Sequence, residues 1–316
     1  MSVRERGHAV PVRWRLLDAV ERVAAAVWPP AVRGLTGWLL LLPALLLVGL
    51  LAVGLLWVAE YSLHELDPAT YMLREDYSLA NYGTVFGQRV YIDIVLRSAA
   101  AAAIVTAVTL ILAFPYAYVM VRTARPWVRK ALLVSLFLPF FIGQVVRAYG
   151  WLILLGKQGL INQALAALGL EPMNLLFNYN AVLLGLVQYM LPFAVLMLAP
   201  ALTAIPEEVE QASESLGATW VQTFLHVVIP MAKPGLVGAA VVVFTLTITD
   251  FAMPEILGGG TIDFIANAIY DGFFQIANAG LGSALAVVLV AIGTTLVGLI
   301  FAGLGAGTLS FVSRRG

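Results

Sequence analysis

Six runs of apolar residues, each long enough to cross a lipid bilayer, leave this chain few folds to choose from. They extend from Gly37 to Val58, Ser98 to Val121, Ala131 to Leu155, Ala181 to Ala201, Gly235 to Pro254 and Gly280 to Leu309. About 20 apolar residues, rising 1.5 Å each, cross a hydrocarbon layer of about 30 Å. No water is available there to satisfy backbone N–H and C=O groups, so each run must close its own hydrogen bonds as a helix. With 61% hydrophobic and 11% charged residues, the chain is far from the composition of soluble domains, where roughly a quarter of residues are charged. The expected fold class is an all-α integral membrane bundle of six transmembrane helices. The first run is read as a span: 36 residues precede it, it exceeds the apolar core of a signal peptide, and no small-residue cleavage site follows.

Formal net charge is zero, yet the charges sort by side. Six arginines (Arg4, Arg6, Arg13, Arg15, Arg22, Arg33) precede the first run, and Arg122, Arg125, Arg129 and Lys130 fill the short loop after the second. Basic short loops face the cytoplasm. Residues 60–92 carry five acids against two arginines, and residues 255–279 carry three acids and no base, which places both outside. Six spans then leave both termini cytoplasmic. The loop at 205–235 also falls inside, although its four glutamates and one lysine run against the trend. Either a partner protein favours acids there, or acids simply carry little topological weight.

The chain divides into a cytoplasmic segment, 1–36, and a six-span domain, 37–316. Trp14, Leu17, Ala24 and Val27-Trp28 recur near helical spacing among arginines before Pro29-Pro30, the pattern of an interfacial helix lying on the inner leaflet. The outer loop from Glu60 to Gln88 is too polar to span and is expected to hold a short helix. The sequence has no cysteine, hence no disulfide, and no visible internal repeat of the kind that marks many secondary carriers.

Between the fourth and fifth runs lies a polar, helix-forming insert, Ile205 to Gly235. Pro206 suits a first helical turn, and Glu207 and Glu208 complement the N-terminal dipole. Gly217 permits the conformation that ends one helix before Trp220 starts another, and Pro230 and Pro234 close the insert. Helix, glycine corner, helix makes a knob suited to a groove on another protein; an ordinary amphipathic re-entry helix is the plainer alternative. The residues Gln211-Ala212-Ser213, Gly217-Ala218, Phe224 and Ile229-Pro230 resemble the coupling loop of ABC-importer permeases, in which Glu-Ala-Ala is followed by Gly and then Ile/Val-x-Pro. Gln211 stands where that family usually has Glu, so a charge contact would fall to Glu210 or Glu214. The resemblance implies the type I importer permease arrangement in a bacterial inner membrane.

Two ionisable residues, Arg147 and Asp250, lie inside spans, where an unpaired charge costs several kcal/mol. Counted along straight helices they sit at similar depth, so a direct or water-bridged pair is expected to be possible; an architectural pair or a snorkelling Arg147 are the alternatives. The segments Arg147-Ala148-Tyr149-Gly150-Trp151, Asp250 to Gly260 and Ile269 to Phe274 are similar to those of spermidine/putrescine-type importers, and to relatives carrying ferric iron, aminophosphonates or thiamine. That resemblance implies a substrate path built from Arg147, Tyr149, Trp151, Asp250, Phe251, Glu255, Tyr270 and Asp271. Acids and aromatic faces would suit a polyamine, though Trp and Tyr also gather at bilayer interfaces.

No G-x-x-x-x-G-K-[ST] phosphate loop is present, and His8, His64 and His226 are too scattered for a zinc site. No catalytic residue, metal or resident cofactor is expected. The resemblance assigns ATP and magnesium to partner ATPase subunits, and adds a second permease subunit, an external binding protein and surrounding lipid; no nucleic-acid partner is implied. The rivals are an ion-coupled carrier using Asp250, and a membrane scaffold, which would leave Arg147 and Asp250 unexplained.

Overall fold

The computed structural model describes residues 30–305, within two compact units, Met1–Trp57 and Val58–Gly316. The expected interfacial helix over residues 9–33 lies almost wholly outside the described residues, as do Arg314 and Arg315. Helix α1 (Pro30–Tyr61) carries the first apolar run. Side chains along it, including Leu40, Leu46 and Trp57, are exposed.

The second unit opens with an antiparallel hairpin, β1 (His64–Leu66) and β2 (Leu73–Tyr77), with His64 opposite Tyr77. Helix α2 (Ala80–Gly87) follows and is the short helix expected outside. The strands were not expected; they add one two-stranded hairpin to a chain that is otherwise helical among the described residues. Their sequences, HEL and LREDY, are polar enough to leave a sheet edge in water, which hydrocarbon would forbid.

Three helices form the centre of this unit: α3 (Arg89–Arg122), α7 (Tyr179–Thr203) and α11 (Lys233–Ile248). Small buried side chains line the contacts, among them Ala101, Ala113 and Ala117 of α3, Ala181 and Ala194 of α7, and Ala239 of α11. Lipid tails are as apolar as leucine, so membrane helices associate through close packing, and small residues let their backbones approach. Thr106 Oγ1 in the packed face bonds back to its own helix, donating to Ala102 O at 2.6 Å, whereas the buried Thr109 and Thr247 hydroxyls have no partner. Helix α14 (Ala279–Gly305) flanks α11.

Two of the six expected spans are not single helices. The third divides into α4 (Pro126–Phe137) with a 3-10 turn over Leu138–Phe141, then α5 (Gln144–Leu155) and α6 (Leu160–Ala167), with a bend of 101°. Pro139 and Gly143 supply the break. The fifth follows α8 (Glu207–Ser215) and is assembled from α9 (Trp220–Thr223), a π-helical turn over Phe224–Val228, α10 (Ile229–Met231) and α11, bent by 69°. Beyond α11 the chain breaks again at residues 249–251 before α12 (Ala252–Gly258), α13 (Ile265–Tyr270) and a π turn over Asp271–Gln275. Among the described residues four helices are long and apolar enough to span alone, and six spans result if each bent pair counts as one. Depths counted along straight helices therefore do not hold for Arg147 and Asp250.

The two ends of α3 meet different parts of the chain. Arg97 Nη1 donates to Asp263 O at 3.3 Å and Ile265 N to Ser98 Oγ at 2.9 Å, bringing residues 255–279 to the start of α3. At the far end of α3, Arg122 meets the loop after α7.

Candidate functional site

The insert after α7 folds as a helical corner. Pro206 stands immediately before α8, one position earlier than expected, with Glu207, Glu208 and Glu210 in the first turn where the helix dipole favours anions. At Gly217 φ is +90°, a left-handed conformation that side chains with a Cβ adopt at a cost. The corner is closed by Gly217 N to Glu214 O at 2.9 Å and Ala218 N to Ser213 O at 3.2 Å. Thr219 and Gln222 then form a capping box on α9, which satisfies N–H groups a helix start leaves free. Ser213 and Thr223 hydroxyls meet at 3.0 Å, tying α8 to α9. Pro230 and Pro234 do not close the insert as expected: each falls in the first turn of a helix, and the chain turns at Ala232 between them.

Within the corner, Gln211, Ala212 and Glu214 are exposed, Ser213 and Ala218 half-buried. Glu210 points inward instead of offering its charge to a partner. Its Oε1 accepts from Arg122 Nε at 2.8 Å and lies 2.6 Å from Arg122 Nη2, and its Oε2 accepts from the Tyr118 hydroxyl at 2.6 Å. Arg122 also donates to Ile205 O at 2.8 Å. Phe224 packs between Trp220, stacked at 5.3 Å, and the edges of Phe114 and Tyr118 at 5.3 and 5.2 Å. A cavity of about 480 Å³ opens beside the pair, with Arg122, Arg129 and Glu207 in its wall.

In the interior, Asp250 stands at the break after α11. Its Oδ1 accepts from Met253 N at 2.9 Å, capping α12, and its Oδ2 accepts from Gln144 Nε2 at the start of α5. Arg147, one turn along α5, lies over the Tyr189 ring at 4.6 Å, and its Nε has no partner. Among the described residues the two charges form no direct ion pair, because the break aims Asp250 at Gln144 and its own helix. Trp151 Nε1 donates to Gln188 Oε1 at 3.4 Å. Tyr149 is exposed; two residues from Arg147, it occupies another face of α5.

Four of the remaining path residues do gather. Phe251 and Tyr270 lie 5.0 Å apart and Tyr270 and Phe274 4.9 Å apart. Glu255 Oε2 accepts from Asn267 Nδ2 at 2.8 Å, and Asn267 also donates to Phe251 O. Burial, then the nearby Glu255 charge, raises the Asp271 carboxyl above its ordinary range. Burial, Asp271 and Glu255 raise that of Asp263, with Arg97 opposing. The arrangement is a mouth of acids edged by rings, able to attract a cation. Among the described residues no set of three His, Cys, Asp or Glu side chains is placed to hold a metal.

Sequence reasoning missed Gln144, Gln188, Tyr189 and Asn267, because it searched the spans for ionisable groups only. For Gln144 and Gln188, uncharged amides inside an apolar run were the available signal, since a buried amide also needs partners; Tyr189 and Asn267 carried no such signal. Arg122 had been read only as a mark of the cytoplasmic side.

Residues 110–307 match the family described as binding-protein-dependent transport system inner membrane component. The inner membrane ABC transporter permease protein YdcU of Escherichia coli (strain K12) is 33% identical over 274 residues, 83% of this chain and 82% of that protein. The spermidine/putrescine transport system permease protein PotB of the same organism is 29% identical over 271 residues, 84% of this chain and 92% of PotB. Among solved structures, a chain of a bacterial alginate ABC transporter in complex with alginate pentasaccharide-bound periplasmic protein superposes with a TM-score of 0.70 at 17% identity, covering 86% of this chain and 95% of that one.

Proposed function

Because the chain belongs to the binding-protein-dependent transport system inner membrane components, we propose that it is the six-span permease subunit of an ATP-driven polyamine importer, carrying putrescine or spermidine. The observation that carries the machinery is the helical corner, α8 and α9 around Gly217, fastened to the end of α3 by Arg122 and Glu210. A rigid projection of this kind can transmit displacement in both directions, which a loose loop cannot. Residues Glu210 to Phe224 form the ATPase-coupling element. Gln211, Ala212 and Glu214 present its accessible surface, and Glu210 and Phe224 hold it to the bundle.

The cargo rests on the likeness to the spermidine/putrescine permease and on the outer mouth. There Glu255, Asp263 and Asp271 supply negative charge, and Phe251, Tyr270 and Phe274 supply ring faces to alkylammonium groups. An external binding protein delivers the polyamine to this mouth. The Asp250–Gln144 contact at the break after α11, with Arg147 and Trp151 alongside, is the constriction the cargo passes. ATP and magnesium are bound by two partner ATPase subunits, and closure of that pair drives the projections together, switching the path between inward-open and outward-open. A second permease subunit, a paralogue of this chain, completes the path. The complex sits in a bacterial inner membrane with the basic end of α3 in the cytoplasm.

The test is uptake of labelled putrescine and spermidine into proteoliposomes, leaving out one component at a time. Uptake that requires ATP, the ATPase, the binding protein and this chain is expected. Uptake driven by an ion gradient without the ATPase would overturn the reading in favour of an ion-coupled carrier.

A further inference from the structure

We propose that Arg122 and Tyr118 are the positioning residues that make the coupling projection a rigid part of α3, so that displacement received at α8 and α9 enters the bundle chiefly through α3. The inference deepens the permease reading and rests on it.

The geometry carries the idea. Arg122 ends α3, and its guanidinium reaches two stretches: the first turn of α8, through Glu210 and, at 4.0 Å, Glu207, and Ile205 O at the corner leaving α7. The Arg122 and Glu210 side chains are only 14% and 12% exposed, so the bond is shielded from water, unlike the Arg122–Glu207 contact, whose glutamate is 65% exposed. Shielded charge-assisted bonds are the strong ones, whereas exposed pairs contribute little. Tyr118 lies one helical turn before Arg122 and grips both arms of the projection. Its hydroxyl donates to Glu210 on α8, and its ring meets Trp220 and Phe224 on the other arm at 6.3 and 5.2 Å. One face of one helix thus holds α8 through a charge and α9 through ring packing. Residues 122 and 210 are 88 positions apart in the chain, so nothing local in sequence would keep these elements together.

Among the described residues of the projection, Glu207, Glu208 and Glu214 are exposed, and Leu216, 90% exposed, stands at its tip.

Two measurements test the latch, one independent of transport. In the purified chain in detergent, hydrogen–deuterium exchange of the α8 amides in Arg122→Ala should rise about tenfold, as expected on losing a hydrogen-bonded charge, while the α13 amides stay unchanged. Unchanged exchange in α8 would overturn the proposal whatever the cargo proves to be. In the reconstituted complex, the ratio of substrate moved to ATP hydrolysed should fall about tenfold in Arg122→Ala and about threefold in Tyr118→Phe, which keeps the ring but loses one bond. The exchanged pair Arg122→Glu with Glu210→Arg should recover most of the loss. A wild-type ratio in Arg122→Ala would show that the projection transmits by another route. A loss that the exchanged pair does not recover would show that one of the two residues acts on the partner instead.

Discussion

The two polar regions of the second unit are built to opposite standards. At the end of α3 the charges are closed: Glu210 has both oxygens occupied, Arg122 spends its donors on Glu210 and Ile205 O, and aromatic rings cover the join. At the break between α11 and α12 neither charge meets an opposite one. Asp250 is held by an amide and a backbone N–H, Arg147 rests on a ring with its Nε unpartnered, and the two do not meet. A fully satisfied network rigidifies, whereas a half-satisfied one holds groups that gain by rearranging. On the proposed function, the first region keeps its shape while moving and the second changes shape to pass the cargo.

The largest effect expected from breaking this contrast is at the corner. Proline at Gly217 cannot reach a φ of +90°, since its ring fixes φ near −65°. Gly217→Pro should abolish coupled uptake while leaving the protein in the membrane and ATP hydrolysis uncoupled; normal uptake in that variant would refute the rigid-corner reading.

Next comes Asp250, where two substitutions separate cap from charge. Asp250→Ala removes the acceptor for Met253 N and should cost about 1 kcal/mol, read as a lower melting temperature in detergent. Asp250→Asn keeps an acceptor and should melt as wild type yet transport several-fold more slowly. Equal transport would reduce Asp250 to a helix cap.

Arg147→Met should be smaller still in stability. It removes a partly buried charge whose Nε has no partner, so the melting temperature should hold or rise slightly, while cargo selectivity shifts; a clear fall in melting temperature would mean that Arg147 is structural.

The smallest effect is pH dependence at the outer mouth. Raised Asp263 and Asp271 pKa values mean that these groups hold protons in the folded state at a pH where unfolded carboxylates have lost them. Their contribution to stability is thus fully present below the unfolded pKa and is lost as pH rises through the folded pKa. Attraction for a cation runs the other way. Polyamine uptake should start to fall on acidification at a pH above the ordinary carboxylate range, and Asp263→Asn with Asp271→Asn should flatten that fall. An unchanged profile would take these two acids out of the path.

Much of the architecture was legible in residue order. Run four became α7 with two residues added at each end, and run two became α3, which begins nine residues earlier than expected, because unbroken apolar sequence in lipid has little choice but a helix. Gly217 was readable because one backbone conformation at one position calls for one residue type. The broken spans were harder. Run three contains Pro139 and Gly143, but proline is common in membrane helices, so its presence alone did not foretell a bend of 101°. Asp250 was read as a charge in a span when it is also the cap that starts a new helix, and the span assignment hid that second role. The Arg122–Glu210 pair was invisible for another reason: each residue had a sufficient local explanation, and only folding brings them together.

The most direct test of the central claim uses a chain that has no cysteine of its own. Spin labels introduced by Ser215→Cys and Leu112→Cys report the distance from the projection to α3, and a second pair, Ile142→Cys with Leu246→Cys, reports across the interior break. Between nucleotide-free and ATP-trapped complexes the first distance should hold and the second should change by more than about 2 Å. A shift in the first distance with the second unchanged would contradict the account.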